Sequence, residues 1–238
     1  MSTLVLTAHG SKDLRSAANA RALAGRLARM RPDLEVRVAF LEQNLPSLHS
    51  VLTGLADTPR TVVSPLLLAS AYHARLDIPK QIARAGAQGV RQADVLGEDD
   101  RLVAVLRERL FGLGVSDRDS ALGVLVVAIG SSDAAANARS ATVAAKLAAD
   151  TRWAGAALAF ATGPEPSLAQ ASEQLRRRGA RRLVIAPWFL APGRVIDRIR
   201  AYAHDAGIAM APPLGAHRLV AETVLDRFEH AVATRAVA

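Results

Sequence analysis

The chain has 238 residues, 50% hydrophobic and 22% charged, which is enough apolar material for a packed core and argues against a disordered chain. It has no cysteine, so disulfide scaffolds, zinc ribbons, iron–sulfur sites and thiol nucleophiles are excluded, and any metal is left to His, Asp or Glu. Aromatics at 4% argue against a base-stacking surface, and the net charge of +8 is mostly arginine, as a composition bias toward Arg on solvated faces or an anionic partner would give.

In chain order, short apolar runs alternate with longer amphipathic runs rich in Ala, Leu and Arg. The amino terminus has no basic leader and reads as a first strand, so a cytoplasmic protein is expected. No apolar run approaches the roughly 18 residues a membrane span needs. In the first half, strands are expected near 3–8, 34–40, 60–67 and 90–95, and helices near 13–30, 46–56, 77–86 and 98–111. Residues 112–120, with two glycines followed by polar residues, read as a linker. In the second half, strands are expected near 122–128, 154–160, 181–187 and 207–210, and helices near 134–149, 166–178, 193–205 and 217–234. The basic cluster of Arg176, Arg177, Arg178, Arg181 and Arg182 straddles a helix end and a turn, where basic residues are ordinary, so no nucleic-acid partner is expected. Strand–helix alternation implies right-handed βαβ crossovers and parallel sheets covered on both faces.

The halves are copies of one another. Ala8-His9-Gly10-Ser11 lies 120 residues before Ala128-Ile129-Gly130-Ser131, and the same offset carries Phe40 to Phe160 and Pro46-Ser47-Leu48 to Pro166-Ser167-Leu168. Pro65 meets Pro187 at an offset of 122, and Asp77 meets Asp197 at 120 again. The fold class expected is therefore α/β, with two similar domains, 1–113 and 121–238, each a four-stranded parallel sheet flanked by helices.

Ligands of open parallel sheets bind beyond the carboxyl ends of the strands. In the first half those ends are followed by His9, by Glu42 and by Tyr72-His73. Two imidazoles and a carboxylate suit a borderline divalent metal such as Fe, Co, Ni or Zn. The second copy is an internal control. His9 becomes Ile129, Glu42 becomes Thr162, and the Tyr72-His73 segment has no counterpart, although Gly10, Pro46, Pro65 and Asp77 all do. Groups lost while the scaffold anchors persist point to one functional site, in the first half. Ser11 or Asp13 can instead cap a helix, and His49, His204, His217 and His230 read as surface residues. No Gly-x-Gly-x-x-Gly, Walker or Gly-x-Ser-x-Gly pattern competes.

Ala8-His9-Gly10-Ser11, Phe40-Leu41-Glu42 before Pro46-Ser47-Leu48, and the run from Pro65 through His73 to Asp77-Ile78-Pro79 resemble the class II chelatases, and among them the sirohydrochlorin chelatase group in its double-length form. The resemblance covers essentially the whole chain. It implies a lyase-type enzyme that inserts Co²⁺ or Fe²⁺ into sirohydrochlorin on the way to cobalamin or sirohaem, with the metal as substrate and no other cofactor. It implies His9 and His73 as catalytic and metal-holding residues, with Glu42 as the metal-side carboxylate. Ser11, Lys12, Arg15, Tyr72, Arg75 and, from the second half, Arg194 are expected to bind the polycarboxylate macrocycle. A tetrapyrrole and a divalent ion are then the partners, without nucleic acid or membrane, and a fused double unit can act as a monomer. The alternative readings are a non-catalytic tetrapyrrole or metal carrier and a bilobed periplasmic-type metal-binding protein.

Overall fold

Continuous apolar runs are what strands covered on both faces require, and the run 2–8 behaves accordingly. In the computed structural model, which describes residues 2–55, 60–70 and 72–234, it forms β1 (Ser2–Ala8), buried from Thr3 onward. Asp13 caps the next helix by accepting the Arg15 backbone N–H, and α1 (Leu14–Met30) buries Ala17, Ala20, Leu23, Ala24 and Leu27, a stripe at helical spacing. There follow β2 (Leu34–Phe40), α2 (Leu48–Thr53), β3 (Thr61–Pro65), a wide π turn (His73–Asp77) leading into α3 (Ile78–Arg84), and β4 (Arg91–Gln92). The expected helix end at residue 56 lies outside the described residues. The fourth strand is shorter than the run 90–95 suggests.

After α4 (Asp100–Phe111) the pattern repeats as β5 (Leu122–Ala128), α5 (Ala134–Ala148), β6 (Gly155–Phe160), α6 (Leu168–Arg177), β7 (Arg182–Pro187), α7 (Arg194–Asp205), β8 (Ala209–Met210) and α8 (Arg218–Ala233). Two four-stranded parallel sheets result, in the orders β2-β1-β3-β4 and β6-β5-β7-β8. In the first, Ala8 pairs with Phe40 and Thr7 with Pro65, so the carboxyl ends of three strands lie side by side. Among the described residues no helix is long and apolar enough to cross a membrane.

The chain divides into two compact units, one of residues 1–97 and 216–238, the other of residues 98–215. This differs from the chain-order division into 1–113 and 121–238. In the first unit α1 and α8 contact each other and the sheet, while α2 and α3 pair with Val5, Ala39 and Val63 in a shared core. In the second unit α5 pairs with α4, while α6 and α7 pack with Leu125, Val127 and Ile185. Each sheet thus takes its last helix from the other repeat. Polar contacts fasten the exchanged helices. Arg107 donates to the Leu147 carbonyl at 3.1 Å at the end of α5, and Arg227 reaches the Val95 and Leu96 carbonyls at 3.3 Å. Residues 112–120 also pack within the second unit: the Trp153 indole donates to the Ser116 carbonyl at 2.8 Å, and Arg182 pairs with Asp119 at 2.6 Å.

Candidate functional site

His9 stands one residue past the end of β1. The β1–β2 ladder continues beyond the strands, with the Leu41 N–H donating to Ala8 and the Glu42 N–H to His9, each at 3.0 Å, so Glu42 comes to lie against His9. Only glycine fits at position 10. Its φ is +97°, and a Cβ there would stand 1.7 Å from the Glu42 carbonyl oxygen. Gln43 turns the loop in the left-handed region at φ 64°, and the Asn44 side chain accepts the Ser11 N–H at 2.7 Å, locking the loop after β1 to the loop after β2. The result is a His9 Nδ1 that lies 3.3 Å from Glu42 Oε1 and 3.1 Å from the Gly10 carbonyl.

His73 arrives on the π turn, and Pro79 explains why the turn is wide. Proline has no N–H and would collide with a carbonyl four residues back in a regular helix. The Ile78 N–H therefore bonds to the His73 carbonyl, five residues back. The Ala74 carbonyl is passed over by Ile78 and finds no donor on Pro79; the Gln92 side chain on β4 supplies one at 2.7 Å. Helical backbone begins at Tyr72 rather than near residue 77, where the sequence pattern places it.

The two imidazoles meet edge to face, with ring centroids 4.1 Å apart and planes at 78°. His73 Nδ1 lies 3.2 Å from Asp77 Oδ2, and Gln81 donates to the other Asp77 oxygen at 3.2 Å and to the Leu41 carbonyl at 3.4 Å. Among the described residues, the groups facing the two Nδ1 atoms are acceptors: the Glu42 carboxylate and the Gly10 carbonyl for His9, and the Asp77 carboxylate for His73. A proton on Nδ1 of each ring would satisfy these contacts and leave the Nε2 lone pair for a metal or a proton. The side chains are 39% and 35% exposed, so small ions and a flat ligand can reach them.

The Tyr72 ring sits 5.6 Å from His73 and is largely exposed, as are Leu14, Leu45 and Leu76 on the same loops and helix starts, an apolar fringe on the half that carries the histidines. Glu42 meets His9 from the Nδ1 side. Among the described residues no three His, Asp or Glu side chains gather so as to hold a metal ion. Ser11 is used locally, its hydroxyl accepting the Asp13 N–H at 3.0 Å, and Arg15 pairs with Asp13. Lys12 is exposed, Arg75 is exposed with its Nε 3.4 Å from Ser70 Oγ, and Arg194 opens α7 in the second unit.

The same edge of the second sheet keeps the backbone and lacks the chemistry. Gly130 has φ +92°, and a Cβ on it would stand 1.7 Å from the Gly163 carbonyl oxygen. Ile129, 52% exposed, replaces His9, and the Thr162 hydroxyl donates to the Ile129 carbonyl. The Ser131 N–H is held by Asn137 on α5, whereas the Ser11 N–H is held by Asn44 in the loop after β2. Sequence reading missed Asn44, Gln81 and Gln92, and took Asp77 for scaffold. The repeat held the signal, because their counterparts are Pro164, Ala201 and, by strand register, Met210.

Comparison with known proteins agrees with this duplicated architecture. The CbiX family model matches twice, over residues 3–112 and 123–231. A sirohydrochlorin ferrochelatase of Priestia megaterium is 26% identical over 210 residues, 84% of this chain and 77% of its own length. A sirohydrochlorin cobaltochelatase of Sulfurisphaera tokodaii is 32% identical over 109 residues, 45% of this chain and 89% of its own. Among solved structures, SirB from Bacillus subtilis with Fe³⁺ superposes with a TM-score of 0.84, covering 100% of this chain and 98% of that one; at 22% identity the likeness is one of fold.

Proposed function

The chain belongs to the CbiX family, and from that premise we propose that it is a sirohydrochlorin chelatase, inserting Fe²⁺ or Co²⁺ into sirohydrochlorin for sirohaem or cobalamin synthesis. The observation that carries this reading is the His9–His73 pair, 4.1 Å apart, with both Nδ1 atoms facing acceptors, present in one repeat and absent from its twin.

In insertion, the two pyrrole N–H bonds break, four ring nitrogens bind the ion, and two protons leave. The ion is a substrate and has to be released to the macrocycle, so a weak pair of imidazoles suits the task better than a closed cage. His9 and His73 present unprotonated Nε2 atoms that hold the incoming ion, and at least one accepts a pyrrole proton. Glu42 accepts the His9 Nδ1–H and lowers the charge cost of bringing a dication beside two imidazoles. Tyr72, Leu14, Leu45 and Leu76 offer apolar surface to the macrocycle plane, and Lys12 and Arg75 offer positive charge to its carboxylates.

The test is an anaerobic absorbance time course of metal-free sirohydrochlorin with Fe²⁺ or Co²⁺, against the rate without enzyme. Conversion faster than that rate with either ion is the expected result. Pigment binding with no acceleration by either ion overturns the reading and makes the protein a carrier.

A further inference from the structure

We propose that Asp77 is a positioning residue that fixes the tautomer and orientation of His73, and that Gln81 and Gln92 complete the support. The proposal rests on the chelatase reading for its kinetic consequence but not for its structural one.

Asp77 lies one helical turn beyond His73, with Oδ2 3.2 Å from Nδ1. A carboxylate only accepts, so this contact demands a proton on Nδ1 and leaves Nε2 bare. One contact would still let the carboxylate swing, and Gln81 prevents this by donating to its second oxygen at 3.2 Å. The same Gln81 amide reaches the Leu41 carbonyl at 3.4 Å, on the segment that presents Glu42 to His9, so the two arms of the site are tied through one side chain. Gln92 holds the Ala74 carbonyl that Pro79 leaves without a donor, which fixes the wide turn carrying His73. The twin separates this role from a purely structural one. Asp197 persists at the matching place, but the residue four before it is Gly193 rather than a histidine, and the residue four after it is Ala201 rather than a glutamine. There the Asp197 backbone N–H bonds to the Gly193 carbonyl at 2.9 Å in an ordinary helical turn. The carboxylate therefore has a histidine to orient in the first copy alone.

Asparagine at position 77 has one acceptor where aspartate has two: with its oxygen kept for the Gln81 amide it turns its NH₂ on Nδ1, which favours the Nε2–H form. The experiment uses the full-length ¹⁵N-labelled, metal-free protein at a pH well above the ordinary imidazole range, so the rings are neutral. Long-range ¹H–¹⁵N correlation reads the tautomer of His73, identified by the signal lost in His73→Ala. The wild type should show the Nδ1–H form, and Asp77→Asn should shift the signal toward Nε2–H. In the insertion assay Asp77→Asn should lower kcat by about 10–100-fold, the usual effect of losing an outer-sphere partner, while KM for sirohydrochlorin changes by less than about twofold. Asp77→Glu should recover most of the Nδ1–H signal, and Gln81→Leu, which leaves the carboxylate in place, should give a smaller kcat loss of about threefold to tenfold. An Asp77→Asn protein that keeps the Nδ1–H signal and wild-type kcat overturns the proposal. Should Asp77→Asn not fold, an unchanged tautomer and kcat in Gln81→Leu does so in its place. A tautomer shift in a protein whose wild type inserts no metal supports the positioning role and defeats the chelatase reading alone.

Discussion

At the carboxyl end of β1 stands His9 with Glu42 against it; at the same place on β5 stands Ile129 with Thr162 against it. Around both, the backbone is nearly the same. Gly10 and Gly130 share a left-handed φ, each lies against a carbonyl oxygen that excludes any side chain, and Asp13 and Asp133 cap the helices that follow. Such a turn is required by the fold whether or not a reaction occurs there. The imidazoles, Glu42, and the glutamines that hold Asp77 and the wide turn are confined to the half with chemistry, while Asp77 keeps a counterpart, Asp197, with no histidine four residues before it. The duplication thus separates residues that shape the strand–helix turn from residues that use it.

The largest effect expected from breaking this comparison is on activity. His9→Ala combined with His73→Ala should bring insertion to the rate without enzyme, with circular dichroism unchanged; an active double variant contradicts the site. Next come the glycines. Gly10→Ala and Gly130→Ala each force a Cβ onto a carbonyl, at a cost of about 3 kcal/mol or more, or a Tm lower by roughly 6–12 °C. Melting curves should show similar losses for both, while activity per folded molecule falls in Gly10→Ala alone. A smaller asymmetry is expected at the loop anchors. Asn44→Ala and Asn137→Ala each remove a side chain that holds a serine N–H, about 1 kcal/mol, but Asn44→Ala alone should slow insertion. The smallest effect belongs to the caps, where Asp13→Ala and Asp133→Ala should each cost about 1 kcal/mol in denaturant titrations and leave kcat nearly unchanged.

Much of this was legible in the sequence. The strands are apolar runs long enough to declare themselves, and the repeat fixed their order by doubling every signal. The meeting of His9, Glu42 and His73 followed from parallel strands ending together. The exchange of α4 and α8 did not follow, because two sheets built from one repeat offer the same groove to the same helix, and the composition of Leu102, Leu106 and Leu110 cannot say which sheet they cover. The wide turn was hidden because Pro79 reads equally as the start of a helix and as a defect within one. Gln92 was hidden because its partner is the backbone carbonyl of Ala74, which carries no sequence signature, and Gln81 because Asp77, which it holds, reads as scaffold shared with the second copy.

The most direct test of a single site in the first repeat is to trade the residues that distinguish the strand ends. His9→Ile and, separately, Ile129→His are to be compared with wild type in the anaerobic insertion time course. His9→Ile should lose most of the catalysed rate, about 100-fold or more by analogy with the loss of other acid–base groups, while Ile129→His should stay at the wild-type rate. A His9→Ile protein at full rate, or recovery of that rate by adding Ile129→His to it, would contradict the account, for then the second strand end would be a working site.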